Sequence, residues 1–487
     1  MEHGTQAVVE DLHFSRLLIA GEWRTAESAE RIEITSPFSE EVIGSLPVVT
    51  EHEVDLAFAG AREALDGGEW SRLTPQERGA AIDRLADELD KRAERIRLAF
   101  TLETGVGITS TGGLGRVTDI VFRQYADLAR SFPFREDREW LGTTMTVERL
   151  PVGVALGISP WNAPVPSMAF MIAPALAAGA PIVMKPAIEA PLSTFLLAEA
   201  VDAAKLPAGA VSILPGGREI GEYMIRHPEV DKIAFTGSTV VGKHIMKTAA
   251  DRMVRTTLEL GGKGPAILCD DIDIREIAPR VVRAGLANSG QVCAAQTRII
   301  VPAHKHDEYL AALTEAAAAM KVGDPFDPAT EIGPLVMERQ RERVEEYIRI
   351  GREEGAQVST GGGRPEGLEK GWFVEPTIFG GVDNSMRIAR EEIFGPVLVV
   401  IPAHDDEEAI RIANDSDYGL VGSVFTSDPA RGERIASRLR LGQVHLNGFG
   451  VSTGQPFGGF RQSGIGRKGN VEGLEAYLET RLLESHS

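Results

Sequence analysis

The sequence contains two cysteines, Cys269 and Cys293, in different settings. Cys293 ends the turn-like segment NSGQVC (288–293), whereas Cys269 closes a hydrophobic segment. A thiolate is a strong nucleophile, but a free thiol has a pKa of about 8.5 and needs neighbouring groups to ionise at neutral pH. Most free cysteines only pack in the interior, and we assign Cys269 to that role. Cys293 becomes a candidate nucleophile where suitable partners accompany it.

Two polar side chains in apolar surroundings are suitable partners. Glu259 lies in LELGGK (258–263), between two leucines. Apolar surroundings raise the pKa of a carboxyl group, which suits a general base, although a glutamate at a strand end is more often merely solvated. Asn162 lies in PWNAP (160–164) within a long uncharged segment. Its amide can donate to a developing oxyanion, a contact typically worth about 3 kcal/mol of activation barrier.

A candidate phosphate-binding turn follows a short predicted strand, Ile233 to Phe235. Ser238 can cap a helix that continues to Ala250, and Gly237 allows close approach of the backbone, so free N–H groups can face a phosphate. Most Gly-Ser helix starts bind nothing. The turn at 215–221 lacks the G-x-G-x-x-G pattern, so the usual dinucleotide fingerprint is absent.

The composition excludes several functional classes. The chain of 487 residues has a formal net charge of −20, which argues against a nucleic-acid partner. No CxxC or HExxH pattern occurs, so we predict no metal site. Glu10 and Asp11 stand where a secretory leader would be basic and then apolar, which favours the cytoplasm. The uncharged segment 151–184 is long enough for a membrane span, but several prolines interrupt it and predict a buried core with no membrane association.

Helical and strand-like patterns alternate along the chain. Apolar residues between Ile82 and Ile96 recur at three- and four-residue spacing, which predicts a helical stripe facing a core. Short apolar strands and helices then alternate twice, on either side of Gly261. The predicted strands are 152–158, 211–214, 233–235, 265–268 and 298–301, and the predicted helices are 193–205 and 274–287. This rhythm favours an α/β fold with two doubly wound parallel sheets.

Two segments outside this rhythm look extended, namely Trp140 to Leu150 and Leu478 to Ser487. Such segments can form edge strands that pair with another chain, so we expect an oligomer. The alternative is a hairpin that packs only on its own chain.

Seven motifs in order give the chain a resemblance to the aldehyde dehydrogenase superfamily. They are PWNAP (160–164), MKPAIEAP (184–191), FTGST (235–239), LELGGK (258–263), GQVC (290–293), EEIFGP (391–396) and PFGGFRQSGIGR (456–467). The interval of 293 − 259 = 34 residues between the glutamate and the cysteine is the one that this family uses. Composition and periodicity alone would have predicted only an enzyme-like α/β protein.

The resemblance implies an NAD(P)-dependent oxidation of an aldehyde to a carboxylic acid. Cys293 would attack the carbonyl carbon, and the Asn162 amide and the Cys293 N–H would hold the oxyanion. Hydride loss to the nicotinamide would leave a thioester, which a water activated by Glu259 would hydrolyse. Lys185 is expected at the adenosine ribose, Ser238 at the pyrophosphate and Glu392 at the nicotinamide ribose.

The same resemblance implies a wider cofactor site and a division into domains. The expected cofactor contacts are Ile158, Ser159, Pro160, Trp161, Lys185, Ala187, Glu189, Gly221, Phe235, Thr236, Gly237, Ser238, Val241, Leu260, Gly261, Glu392 and Phe394. Residues 1–132 and 152–260 would form the dinucleotide-binding domain and 261–477 the catalytic domain. Residues 133–151 and 478–487 would form a strand-built oligomerisation arm, giving a homodimer or a homotetramer.

One departure from the family concerns the choice of cofactor. Many NAD-preferring members carry glutamate directly after Lys-Pro-Ala, where this chain has Ile188, with Glu189 one place later. A missing carboxylate removes a partner for the ribose 2′-hydroxyl and also removes repulsion of a 2′-phosphate. We predict NAD as the cofactor, with NADP as an alternative.

A second departure concerns the substrate tunnel. Its expected lining is Ala163, Ser167, Phe170, Met171, Val292 and Ala294. These small or apolar side chains predict a wide, uncharged tunnel for a bulky apolar aldehyde, whether aromatic, long-chain or terpenoid. The alternatives are a semialdehyde substrate, a CoA-acylating relative, a cofactor-free thiol hydrolase and a non-catalytic protein that retains the fold. CoA-acylating enzymes generally lack the glutamate at position 259, and no histidine partner for Cys293 is identifiable.

The third departure is a linked pair. Met171 stands where many relatives have a lysine near the catalytic glutamate, and Lys468 stands where they often have glutamate. The hypothesis is that Lys468 supplies the positive charge that Met171 does not, and so helps to tune Glu259. The alternative is two independent substitutions.

Overall fold

The computed structural model describes residues 12–450 and 454–484, without the side chains of 113–115. Its strands are β1 (Arg16–Ile19), β2 (Glu22–Thr25), β3 (Arg31–Thr35), β4 (Val42–Pro47), β5 (Arg135–Trp140), β6 (Thr143–Pro151), β7 (Ala155–Ile158), β8 (Ile182–Lys185), β9 (Val211–Ile213), β10 (Lys232–Thr236), β11 (Arg255–Glu259), β12 (Pro265–Leu268), β13 (Arg298–Pro302), β14 (Gln357–Thr360), β15 (Thr377–Gly380), β16 (Val397–Ala403), β17 (Val421–Phe425), β18 (Gln443–Leu446), β19 (Gly464–Ile465) and β20 (Leu478–Glu484).

The helices alternate with these strands. They are α1 (Glu51–Asp66), α2 (Pro75–Asp90), α3 (Ala93–Thr104), α4 (Ile108–Ser131), α5 (Pro164–Ala178), α6 (Leu192–Ala203), α7 (Arg218–Arg226), α8 (Thr239–Ala250), α9 (Ile274–Gly285), α10 (His306–Ala318), α11 (Glu338–Glu353), α12 (Arg387–Arg390), α13 (Asp406–Asn414), α14 (Pro429–Ala436) and α15 (Asn470–Glu475). Short 3₁₀ turns lie at Trp70–Arg72, Ala287–Gly290, Ala303–Lys305 and Arg461–Ser463.

The first large sheet has eight strands in the order β19-β11-β10-β7-β8-β9-β1-β2. Its five central strands, β11 to β9 in that order, run parallel. The chain builds outward from β7 through β8 to β9, and then outward on the other side through β10 to β11. The winding direction therefore reverses between β7 and β10. Ligands of doubly wound folds bind beyond the carboxyl ends of strands at such a reversal.

The second large sheet has seven strands in the order β14-β15-β16-β13-β12-β17-β18. All of its neighbours pair in parallel except β14, which is antiparallel to β15. Two apolar clusters bury its faces, one containing Ile267 and Val399 and the other containing Ile299 and Leu398. The predicted α/β class with two doubly wound parallel sheets is confirmed.

A third sheet, β20-β6-β5, stands apart from the other two. Strands β5 and β6 form a hairpin, and β20 pairs antiparallel with β6 from Leu478↔Pro151 to Glu484↔Met145. Both segments predicted to be extended are thus strands where they are described, and they pair with each other within one chain. Residues 485–487 of the second segment lie outside the described part. The oligomerisation role stays a prediction.

The predicted domain boundaries also stay predictions, and one segment crosses them. Strand β19, which lies within 261–477, joins the first sheet through Leu258↔Ile465 and Glu259↔Gly464. Leu474 and Tyr477 belong to the apolar cluster of that sheet. The chain after β18 therefore returns to the first sheet and carries residues of 454–477 toward the end of β11.

Two predicted elements differ from the observed ones. The stripe from Ile82 to Ile96 spans two helices, because α2 ends at Asp90 and α3 begins at Ala93. Helix α9 ends at Gly285 and gives way to the 3₁₀ turn Ala287–Gly290, earlier than the predicted end at 287. The uncharged segment 151–184 contains β7, α5 and β8 and is almost entirely buried, as predicted. Among the helices of residues 12–450 and 454–484, none is long and apolar enough to cross a membrane.

A buried arginine ties the second sheet to the glycine turn before it. Arg298 on β13 donates to the carbonyl oxygens of Lys263, Ile412 and Ala413 and to Asn384 Oδ1, at 2.9–3.1 Å. Burial lowers the pKa of this guanidinium to about 10. These acceptors satisfy a side chain that could not otherwise be buried. The contact holds the segment between Glu259 and β12 in place.

Candidate active site

The loop that carries Cys293 has an unusual backbone. Asn288, Ser289 and Gly290 have φ values of 50°, 55° and 74°, a run of left-handed residues directly after α9. A side chain at Gly290 would collide with the carbonyl oxygen of Gly395, so the loop packs tightly against segment 391–396. Gln291 Oε1 accepts from Val336 N at 3.0 Å, which fixes the loop from another side. Such a strained turn needs support from its surroundings, and here it presents Cys293.

Asn162 reaches this loop from the opposite sheet. Its Nδ2 donates to the carbonyl oxygen of Gln291 at 2.7 Å, and Asn288 Nδ2 donates to the Asn162 carbonyl at 3.3 Å. An amide nitrogen carries two hydrogens, so one donor of Asn162 remains for a second acceptor. Asn162, the predicted oxyanion donor, therefore contacts Gln291, which lies two residues before the predicted nucleophile Cys293.

Glu259 ends β11 and is only 2% exposed. Its two carboxylate oxygens have no hydrogen-bond partner among the described residues. Gly458 lies so close that a Cβ there would be 2.7 Å from Glu259 Oε1. Burial raises the pKa of the Glu259 carboxyl group, while Lys468 and Arg467 act to lower it. A buried carboxylate without partners is the environment that the sequence predicted for a general base.

Cys293 is half-buried and lies in the electrostatic field of Glu259. Burial, Glu392 and Glu259 together raise the pKa of the Cys293 thiol to about 12, and Lys468 acts to lower it. The thiol is therefore neutral at pH 7 and needs a base to become a nucleophile. A side chain at Gly262 would collide with the Cys293 carbonyl, so the turn after Glu259 packs directly against the nucleophile. Cys269 is buried, as predicted for a packing residue.

A crevice of about 850 Å³ opens at the carboxyl ends of β7, β8 and β10, where the first sheet reverses its winding. Most of the predicted cofactor contacts line it, namely Ile158, Ser159, Pro160, Trp161, Lys185, Ala187, Glu189, Gly221, Phe235, Thr236, Gly237, Ser238 and Val241. Ile188, which the sequence analysis connected with the choice of cofactor, also lines it. The lining further includes residues that the sequence analysis missed, which are Gly216, Gly217, Arg218, Glu222, Ile225, Val240, His244, Ile245 and Arg339.

The candidate phosphate-binding turn lies in the lining of this crevice. Ser238 caps α8 by accepting from Val241 N at 3.4 Å. A Cβ at Gly237 would lie 2.5 Å from the Phe235 ring, so only glycine fits there. Lys185 Nζ donates to the carbonyl oxygen of Gly216 at 2.6 Å, and burial lowers the pKa of this lysine to about 8. The N–H groups at a helix N-terminus can bind a phosphate group, whereas Lys185 was expected at the adenosine ribose.

An ion pair lies in the lining of the crevice. Glu189 pairs with Arg339, which lies on α11 of the second sheet's side. Arg339 comes 150 residues after Glu189, and no short-range pattern connects the two. Ile188 lines the crevice with its apolar side chain.

The remaining predicted cofactor contacts lie outside that crevice lining, toward Cys293. Glu392 Oε1 accepts from Gly262 N at 2.8 Å, and a side chain at Gly261 would collide with the same carboxylate. Burial raises the pKa of Glu392 to about 7, against the Gly262 N–H and Lys263, which lower it. Phe394 packs edge-on against Trp161 with a ring-centroid distance of 5.2 Å. Leu260, the residue directly after β11, is buried.

Five of the six predicted tunnel residues are partly exposed, and the sixth is buried. Ala163, Ser167 and Phe170 recur at helical spacing at the start of α5 and are partly exposed. Val292 and Ala294, on either side of Cys293, are also partly exposed. Met171 differs, because it is fully buried in the core cluster of the first sheet. Met171 therefore presents no accessible surface to a substrate.

Comparison with known proteins agrees with this geometry. The model of the aldehyde dehydrogenase family matches residues 23–483. The chain belongs to the aldehyde dehydrogenase family. It is 40% identical to geranial dehydrogenase of Castellaniella defragrans, covering 95% of this chain and 96% of that protein. It is also 40% identical to 3-succinoylsemialdehyde-pyridine dehydrogenase of a Pseudomonas species, covering 96% and 98%.

A solved aldehyde dehydrogenase extends the comparison to three dimensions. The structure of an aldehyde dehydrogenase C variant from Pseudomonas syringae, in complex with NAD+ and octanal, matches with a TM-score of 0.93 and 39% identity. The match covers 96% of each chain. The predicted enzyme class, an aldehyde dehydrogenase, is thus confirmed, and the non-catalytic alternative loses its support.

Proposed function

We propose that this aldehyde dehydrogenase oxidises a bulky apolar aldehyde to its carboxylic acid with Cys293 as the nucleophile. The observation that carries the proposal is the convergence of three separate segments. Asn162 contacts the loop of Cys293, the turn after Glu259 packs against Cys293, and the carboxylate of Glu259 raises the pKa of its thiol. A nucleophile, an oxyanion donor and a base are the groups that this acyl chemistry needs.

The residues divide the reaction between them. Glu259 takes the thiol proton, Cys293 Sγ bonds to the carbonyl carbon, and the free Asn162 N–H and the Cys293 N–H hold the resulting oxyanion. The nicotinamide cofactor, when bound, accepts the hydride from the former aldehyde carbon. Glu259 releases the thiol proton to solvent and then removes a proton from water, the hydroxyl adds to the thioester carbon, and the C–S bond breaks as the departing sulfur takes that proton back from Glu259. The buried carboxyl group has its pKa raised toward neutrality, which suits both proton transfers.

We propose NAD as the cofactor, with NADP as the alternative. The Pseudomonas syringae relative is a complex with NAD+. In this chain Ile188 cannot repel a 2′-phosphate, and Glu189 is already paired with Arg339. A free Glu189 would disfavour NADP, whereas a paired one leaves the choice to the surrounding cations.

The substrate class follows from the uncharged tunnel. Ala163, Ser167 and Phe170 bring no charge to its wall, and neither do Val292 and Ala294. An anionic substrate would lose its hydration there without gaining an ionic partner. Geranial dehydrogenase and the octanal complex are relatives that handle apolar aldehydes, which supports this class. The pyridine semialdehyde dehydrogenase is the relative that favours the semialdehyde alternative. Glu259 argues against the CoA-acylating alternative.

A substrate panel with both cofactors tests the proposed function. We expect kcat/KM for decanal and benzaldehyde to exceed that for succinic semialdehyde by at least tenfold, because a desolvated carboxylate costs more than about 1.4 kcal/mol. We expect NAD to give the higher kcat/KM. The measurement is NAD(P)H absorbance under initial-rate conditions. The highest value on succinic semialdehyde would refute the tunnel argument, and no reduction with any aldehyde would refute the proposed oxidation.

We also propose that the third sheet joins copies of the chain into a homodimer or homotetramer. Trp140 and Leu141, at the β5–β6 turn, are 66% and 89% exposed, and Leu482 and Leu483 on β20 are 54% and 41% exposed. Exposed apolar side chains beside free strand edges favour pairing with another chain.

We expect charged substitutions on this surface to lower the mass of the assembly in solution. Light scattering of the native chain should give a multiple of 52.5 kDa, and Leu482→Lys with Leu483→Lys should shift it toward the single-chain mass. Met253→Lys, at another exposed apolar position, is the matched control and should leave the mass unchanged. A native mass of one chain would contradict the proposal.

A further inference from the structure

Lys468 is a buried cation that reaches the end of β11 from the C-terminal part of the chain. Its backbone pairs with Phe457 in both directions, with N···O distances of 2.7 and 2.8 Å. Its side chain is 7% exposed, and Nζ donates to Thr236 Oγ1. Thr236 is the register partner of Glu259 between the parallel strands β10 and β11. Lys468 is therefore anchored at the position next to the candidate base.

The charged groups around this pair are few. Lys468 and Arg467 face Glu259, and Lys468 also faces the Cys293 thiol. Lys232, buried at the start of β10, is a further cation near Lys468 and donates to Thr257 Oγ1 at 2.5 Å. Burial disfavours charge on both partners, because it lowers the pKa of Lys468 and raises that of Glu259. The charged form of each group thus depends on the charge of the other.

Met171 brings no charge to the site. It lies fully buried in the core of the first sheet, among apolar neighbours. The two oxygens of Glu259 have no hydrogen-bond donor among the described residues. Electrostatic attraction to nearby cations therefore favours the ionised carboxylate, and Lys468 exerts the largest part of it.

We propose that Lys468 is a positioning residue whose ammonium group stabilises the ionised form of Glu259, so that this glutamate can activate water for thioester hydrolysis. The inference rests on the proposed function, since it assigns a partner to the base of that reaction. Lys468 does not touch the reacting atoms and acts only through Glu259. Thr236 holds the ammonium group in place, which explains why a buried lysine sits at the end of these strands.

The test is the pH profile of Lys468→Met. Loss of the ammonium group leaves burial acting on Glu259, so its pKa should rise. The acidic limb of kcat should move upward by roughly one pH unit or more, because a close opposite charge shifts a carboxyl pKa by about 1–3 units. At pH 7, steady-state turnover should fall about tenfold for each unit by which the pKa of Glu259 rises. It should recover above pH 9. Lys468→Arg should restore most of the native profile, because it retains the charge.

Two controls separate this role from a structural one. Lys232→Met removes a second buried lysine of the same sheet and should leave the midpoint of the acidic limb in place. Adding Lys468→Met to Glu259→Gln should not slow hydrolysis further, because the group on which Lys468 acts is already absent. Uniform loss at every pH, an equal shift in Lys232→Met, or an additive loss in the double variant would each overturn the proposal.

A pre-steady-state measurement distinguishes failure of this inference from failure of the proposed function. Native protein mixed with NAD and decanal should release NADH before the thioester is hydrolysed. A native protein that reduces no NAD with any aldehyde would refute the proposed function. Native activity with an unchanged pH midpoint in Lys468→Met would refute only the role of Lys468.

Discussion

Replacing Cys293 with alanine should abolish aldehyde-dependent NAD(P)H formation, with a loss of at least about 10⁴-fold in kcat. The reason is that no other described side chain at the end of the crevice can form the covalent intermediate. Binding of the cofactor should survive, because the crevice lining does not include Cys293. Quenching of tryptophan fluorescence, to which Trp161 in the crevice contributes, measures that binding independently.

The second cysteine supplies the matched control. Cys269 is buried beside the carboxyl edge of the second sheet, and burial raises the pKa of its thiol to about 12. Cys269→Ala removes one sulfur at a distance from Glu259 and Asn162, so kcat should stay within about twofold of the native value. Native activity in Cys293→Ala, or an equal loss in Cys269→Ala, would contradict the assignment of the nucleophile.

Glu259→Gln should convert steady turnover into a single burst. The amide occupies the same volume but takes no proton from water, and loss of a general base typically costs about 10²–10⁴-fold. If the thiol proton can still leave, for example at pH 9 and above, one equivalent of NADH should form rapidly and the thioester should then accumulate. Rapid mixing with detection of NADH measures the burst, and hydroxylamine added afterwards should release the acyl group.

The same substitution at a second buried carboxyl group tests whether the burst is specific to Glu259. Glu103 is also buried and accepts from Leu192 N and Ser193 N at the start of α6, far along the chain from the nucleophile. Glu103→Gln should lower thermal stability, because glutamine offers one acceptor oxygen where Glu103 uses two, while it leaves the burst and the steady rate in the native ratio. A native steady-state rate in Glu259→Gln would show that another group activates the water.

The sequence was a sufficient guide where short-range pattern and chemistry coincide. The strand-turn-helix around Ser238 forms as predicted, because the serine caps α8 and Gly237 leaves room for Phe235. The uncharged segment 151–184 is core because its prolines and apolar residues exclude other environments. By contrast, the break between α2 and α3 was not predicted, since the apolar stripe continues across it and no glycine or proline marks the boundary.

The site residues were predicted from motifs of a known family. The residue positions that this prediction missed depend on contacts between distant parts of the chain. Arg339 lines the crevice from a helix and pairs with Glu189, which lies 150 residues earlier in the chain. Met171 was expected in the tunnel wall, but the rotation of α5 places it in the core instead. Neither position follows from local sequence, because each depends on how a helix packs against the rest of the chain.

The sequence by itself determined the chemical groups of this aldehyde dehydrogenase, since residue type sets what can be a nucleophile, an oxyanion donor or a base. Only the tertiary structure decided the charge states of those groups. The pKa of Cys293 and of Glu259 depends on burial and on the charged groups around them. Lys468, the cation that most lowers the pKa of Glu259, lies 468 − 259 = 209 residues further along the chain. Desolvation and Coulomb interactions act through space, so no spacing along the chain contains them.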